Sequence, residues 1–84
     1  MTQQEMKQFI DTDNFITYNS VQVDLNNGTT LIGFFIHLQD YHELMKSNKW
    51  RFIQNNHAQE YGKTTDISLA IMIEGESFSK LTLL

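Results

Sequence analysis

Asp40-Tyr41-His42-Glu43 places an imidazole between carboxylates, with a phenol beside it. A histidine in such company can serve as a general base, its acidic neighbours orienting the ring and favouring its charged form. His37, His42 and His57, together with Asp40 and Glu43, are also the side-chain types that ligate divalent metals. The spacing speaks against both uses. No ligand interval of a known metal site links the three histidines. No nucleophile motif, phosphate-cradling glycine loop or oxyanion-hole signature accompanies His42. The segment therefore reads as a solvated loop and His37 as a partly buried strand residue. The expectation is a protein with no catalytic site, no metal and no cofactor, and a small enzyme using His42 ranks third among the readings.

A second chemistry is written in Lys49-Trp50-Arg51-Phe52, which interleaves cations and aromatic rings. Rings that stack on bases beside cations that meet phosphates make a platform for single-stranded RNA. Strand alternation alone generates the same pattern, with Trp50 and Phe52 turned inward and Lys49 and Arg51 in water. The amide-rich run Asn55-Asn56-His57-Ala58-Gln59-Glu60 can hydrogen-bond bases or a peptide, and equally suits an ordinary loop.

These residues need a scaffold, and the pattern supplies one. Thr2-Gln3-Gln4-Glu5 has the spacing of a capping box, and Met6, Phe9 and Ile10 follow at helical spacing, so a short helix is expected over about 3–11. Asp11-Thr12-Asp13-Asn14 breaks it. Val21, Val23 and Leu25 alternate with Gln22 and Asp24, a half-buried strand, and Asn26-Asn27-Gly28 supplies residues that tolerate positive φ in a hairpin turn. The next strand, about 30–39, is apolar on both faces, with Leu31 and Phe35 on one and Ile32, Phe34, Ile36 and Leu38 on the other. Such a strand belongs in a closed barrel or under a helix. Gly33 in its middle marks a sharp bend.

Residues 40–48 read as a loop with room for a helical turn, and 49–54 as a third strand. Residues 54–65 read as a polar loop. Ile67, Leu69, Ile71 and Ile73 alternate as a fourth strand, Glu74-Gly75-Glu76-Ser77 turns the chain, and 78–84 is the fifth. The order is one helix and then five strands.

The totals narrow the class. Eighty-four residues, 40% of them hydrophobic, make one domain with one modest core, and at this size self-association is a common source of extra buried surface. The chain has no cysteine, which excludes disulfides and thiolate metal sites. The start MTQQEMKQFID lacks the pattern of a signal peptide, and no apolar run approaches the ~20 residues of a bilayer span. The expectation is a soluble cytoplasmic protein with no membrane partner. A net charge of −4 disfavours broad binding to nucleic acid phosphate, although four of the six cations, Lys46, Lys49, Arg51 and Lys63, fall in one central stretch.

Helix, hairpin and bent second strand together resemble the Sm-like family, including its bacterial RNA-chaperone branch. Val21-x-Val23-x-Leu25-x-Asn27-Gly28 followed by Leu31-x-Gly33 resembles its first motif, closed by Leu38-Gln39-Asp40-Tyr41. Ile71-Met72-Ile73-Glu74-Gly75-Glu76-Ser77-Phe78 resembles the second. The resemblance implies a strongly bent, SH3-like five-stranded barrel whose fourth and fifth strands pair between subunits into a ring. It also implies RNA recognition, carried here by Asp40, Tyr41, Asn48, Lys49 and Arg51. In this reading Tyr41 stacks a base, Asn48 bonds its edge, and Lys49 and Arg51 face phosphates. The chain departs from the family where Gln39 holds the acidic position, where Asn48 lies beyond an insertion, and where Glu74 replaces an arginine. Glu74 repels phosphate and cannot donate to a base.

The leading expectation is therefore a mainly β, non-enzymatic interaction module that self-assembles through its edge strands and presents 40–48 and 54–65 to a protein partner. Ile71, Ile73, Phe78, Leu81 and Leu83 are the candidate interface residues. RNA is the alternative partner, with the net charge and Glu74 against it.

Overall fold

A computed structural model describes residues 1–12 and 20–84, with the backbone alone at 11 and 12. The elements are α1 (Gln3–Thr12), β1 (Val21–Leu25), β2 (Thr30–Phe35), α2 (Tyr41–Lys46), β3 (Lys49–Gln54), α3 (Ala58–Thr64), β4 (Ile71–Glu74) and β5 (Phe78–Leu83). Single 3₁₀ turns occupy Asn55–His57, Ile67–Leu69 and Gly75–Ser77. The chain is mainly β, with a short N-terminal helix in front of one antiparallel sheet of order β4-β3-β2-β1-β5.

The capping box at α1 is formed in both directions. Thr2 N–H donates to Glu5 Oε1 at 2.9 Å and Glu5 N–H to Thr2 Oγ1 at 3.2 Å. The helix runs on through Asp11 and Thr12, where the expected break Asp11-Thr12-Asp13-Asn14 begins, and Asp13-Asn14 lies outside the described residues. The β1–β2 hairpin needs positive φ at only one position, Gly28 (φ 88°). Gly28 N–H donates to the Leu25 carbonyl at 3.0 Å and Leu25 N–H to that of Thr29 at 2.8 Å, the pattern of a turn followed by a glycine bulge.

Gly33 is where β2 changes partner. Thr30 to Gly33 pair with β1, and Gly33 to Phe35 pair with β3. A Cβ at Gly33 would overlap the Ile53 carbonyl oxygen and lie 3.0 Å from Gln54 Cα, so the strands approach too closely there for any side chain. The two half-sheets fold toward each other. Val21, Val23 and Leu81 from one half share a core with Trp50, Phe52 and Ile73 from the other, and Met6 and Ile10 of α1 close it. Phe35 of β2 meets Phe78 of β5 edge-on at 6.1 Å between centroids.

Several sequence expectations are corrected. The expected barrel is not closed, because β4 and β5 lie at opposite ends of the strand order and do not pair with each other. The second strand stops at Phe35, not near Gln39. The expected polar loop 54–65 contains α3, whose Tyr61 meets Phe34 at 6.2 Å on the outer face of β2. This contact accounts for the apolar Phe34 on the outer face, while Ile32 on the same face is 43% exposed. The fourth strand begins at Ile71, because the Asp66 carboxylate accepts from Ser68 N–H (3.0 Å) and Oγ–H (2.7 Å) and winds Ile67–Leu69 into a 3₁₀ turn. Among the described residues no helix is long and apolar enough to cross a membrane.

Candidate functional site

The chemistry-bearing residues meet where β2 leaves the sheet, α2 begins and β3 returns. Alternation along β3 turns Trp50 and Phe52 into the core, as expected, and leaves Lys49 and Arg51 half-buried on the outer side. Asp40 stands at the N-cap position of α2 but makes no side-chain cap. Its carboxylate instead accepts from Arg51 Nη1 in an ion pair whose arginine side chain is only 19% exposed. The Arg51 hydrogen bond holds the Asp40 carboxyl below its ordinary range. Two residues expected to face RNA are thus engaged with each other.

Tyr41 is occupied too. Its ring stacks on His37 at 3.9 Å and 33°, and Trp50 and His42 meet it edge-on at 5.9 Å and 5.6 Å. The rings of His37 and His42 lie 6.1 Å apart, at right angles. The structure therefore gathers four aromatic or imidazole rings, without presenting Tyr41 as an open stacking platform. His57 lies in the 3₁₀ turn ahead of α3. No group of three or more metal-ligating side chains forms among the described residues. The Asp40 carboxylate, close to His42 in sequence, is held by Arg51.

Asn48 has a different task from the one expected. It adopts positive φ (54°) between α2 and β3, a conformation asparagine tolerates better than most residues. Its Oδ1 accepts from Trp50 Nε1 at 2.9 Å, and its Nδ2 donates to the Met1 carbonyl at 3.0 Å. Its own carbonyl accepts from Gly75 N–H at 2.7 Å. A Cβ at Gly75 would overlap the Asn48 amide, which fills that space. The Met1 ammonium donates to the carbonyls of Gly75 (2.7 Å) and Phe78 (2.8 Å), so α1, β3 and the β4–β5 turn are tied at one point. Asn48 is a structural hub and does not reach outward to a base. Only Lys49 of the five RNA candidates keeps an outward head group without a described partner side chain, and the register sets it opposite Glu74.

The five candidate interface residues divide. Ile73, Phe78 and Leu81 are buried in this chain's own core, so an edge contact there would use their backbone. Ile71 is half-buried and Leu83 is 46% exposed. Sequence reasoning overlooked Met72, 47% exposed on the outer face of β4, and Ile67, 53% exposed on its 3₁₀ turn. Strand alternation did signal Met72, the outward residue between Ile71 and Ile73. Ile67 shares a shallow groove of about 480 Å³ with Leu38, Gln39, Asp40 and Arg51.

No family model, curated protein or solved structure matches this chain.

Proposed function

We propose that this chain is a non-enzymatic interaction module of the small bent-sheet type, which associates with copies of itself through β4 and β5 and works in the cytoplasm. One observation carries the reading. β4 and β5 are the two ends of the strand order, and among the described residues each pairs with a single strand. A free edge presents unpaired N–H and C=O groups to another chain. Neither edge holds a proline, and each has an apolar side chain about half exposed, Met72 on β4 and Leu83 on β5. Assembly would satisfy the edge backbone and cover these side chains, leaving α2 and the segment through α3 on the surface for a protein partner.

The RNA reading has less support. Asp40 and Arg51 neutralise each other, Tyr41 is packed between rings, and Asn48 is bonded inward. Size-exclusion chromatography with multi-angle light scattering, with and without a short uridine-rich RNA, separates the two. The proposal expects a mass above that of one chain that RNA leaves unchanged. A monomer would refute the assembly, and a shift on adding RNA would restore the alternative.

A further inference from the structure

We propose that His37 and His42 form a two-imidazole site for a divalent transition-metal ion at the corner between β2 and α2. The site goes beyond the assembly reading and does not depend on it. Spacing hides such a pair, because the interval from His37 to His42 is not one that a regular helix or strand brings to a single face. The fold builds the corner instead. Ile36 N–H still donates to the Arg51 carbonyl at 3.1 Å, so the backbone is held against β3 up to the residue before His37. Tyr41 N–H then donates to the Leu38 carbonyl at 3.1 Å and turns the chain, and Leu44 N–H donates to that of Asp40 at 3.0 Å as α2 begins. His42 arrives in the first turn of this helix, its ring 6.1 Å from that of His37 and at 86° to it.

Metal–nitrogen bonds of about 2.0–2.1 Å, extended to the ring centres, put two imidazoles on one ion roughly 5–6.5 Å apart, depending on the angle at the metal. The separation of 6.1 Å lies in that window. A ligated ion sits in the plane of each ring, a condition that perpendicular rings can meet. Tyr41 fixes one of the two, because it stacks on His37 at 3.9 Å and is itself packed against the buried Trp50. Stacking covers a face of the imidazole and leaves its in-plane nitrogens open. Both histidines are exposed, and among the described residues neither imidazole has a hydrogen-bond or ion-pair partner.

The donor set selects the ion. Neutral imidazole suits copper(II), zinc and nickel, and is a poor ligand for magnesium or calcium. A net charge of −4 favours the approach of a cation. Asp40 adds no third ligand, since Arg51 holds its carboxylate, and His57 does not join the pair. Two protein ligands completed by water make an open site of micromolar affinity, unlike a closed structural centre. A bound ion would tie the end of β2 to α2.

Trp50, the only tryptophan, touches Tyr41 and so stands one ring away from the site. Copper(II) added to the full chain should quench its fluorescence to saturation at one ion per chain, because bound copper takes up excitation energy at short range. His37→Gln and His42→Gln should each weaken this binding about tenfold or more, and His57→Gln should leave it unchanged. Zinc should displace the copper and restore the emission, at higher concentration as the order of metal affinities requires, and magnesium should not. Far-ultraviolet circular dichroism checks that each variant is folded. If His37→Gln loses structure through its contact with Tyr41, the exposed His42→Gln carries the test alone. The absence of saturable quenching, binding unchanged in a folded His37→Gln or His42→Gln variant, or an equal loss in His57→Gln would overturn the site.

Discussion

Replacing Asn48 by alanine removes three supports at once. Trp50 Nε1 loses its acceptor, the Met1 carbonyl loses its donor, and a residue with a Cβ but no side-chain compensation is held at φ 54°. Leaving a buried indole N–H unsatisfied costs about 1–3 kcal/mol. Holding alanine in the left-handed region adds about 1 kcal/mol. The expected loss is therefore about 2–4 kcal/mol, against a total of roughly 4–12 kcal/mol for a domain this size. Asn48→Gly isolates the two terms, because glycine accepts the backbone angle but makes neither side-chain bond. It should lose about 1 kcal/mol less than alanine. Urea unfolding followed by far-ultraviolet circular dichroism measures both, with Trp50, the only tryptophan, as a fluorescent reporter beside the mutated site. With a slope near 1 kcal/mol per molar urea, the alanine variant should unfold about 2–4 M earlier than the native protein. A shift under about 0.5 M, or a glycine variant no more stable than alanine, would refute the description of Asn48 as a strained, bonded hub.

Three further outcomes follow from the same geometry. Gly75→Ala should destabilise the native protein, because the new Cβ would overlap the Asn48 amide, and should cost markedly less in an Asn48→Gly background; additive losses would show that the two sites do not touch. Gly33→Ala should cost about 2–3 kcal/mol or more in urea unfolding, because its Cβ meets the backbone of β3, and an unchanged midpoint would contradict the close approach at the bend. The Asp40 carboxyl is depressed in the folded protein by Arg51, so its contribution is full above the unfolded value near pH 4 and is lost as pH falls through the lower folded value. The stability gap between native protein and Asp40→Asn should therefore shrink as acid is added below about pH 4, and a gap that widens would reverse the sign.

Much of the scaffold was legible because local chemistry and tertiary packing agreed there. Thr2 and Glu5 spelled a cap that is formed, Asn27-Gly28 marked a hairpin that is formed, and Gly33 marked the bend where β2 exchanges β1 for β3. The failures have equally local causes. Ile67 and Leu69 continued the alternation of Ile71 and Ile73, but Asp66 and Ser68 bond the chain into a turn that periodicity does not register. Helix α3 contains Gly62 and little apolar pattern, and Tyr61 against Phe34 is the tertiary contact that gives it a face. At the candidate site, residue types suggested outward roles for Asp40, Arg51 and Asn48. Their partners are distant in sequence or lie in the next element, and spacing could not show that these polar atoms bond inward. The family resemblance, rather than any spacing, implied that the fourth and fifth strands are edges, as the strand order has them. It did not show that Phe78, Ile73 and Leu81 fill this chain's own core.

The measurement closest to the central claim is sedimentation velocity of the native protein across a dilution series from about 100 µM to 1 µM, a range that brackets ordinary assembly constants. Association through β4 and β5 predicts a species larger than one chain at the upper end, dissociating on dilution or persisting as a closed assembly. A single monomeric boundary at every concentration would contradict it.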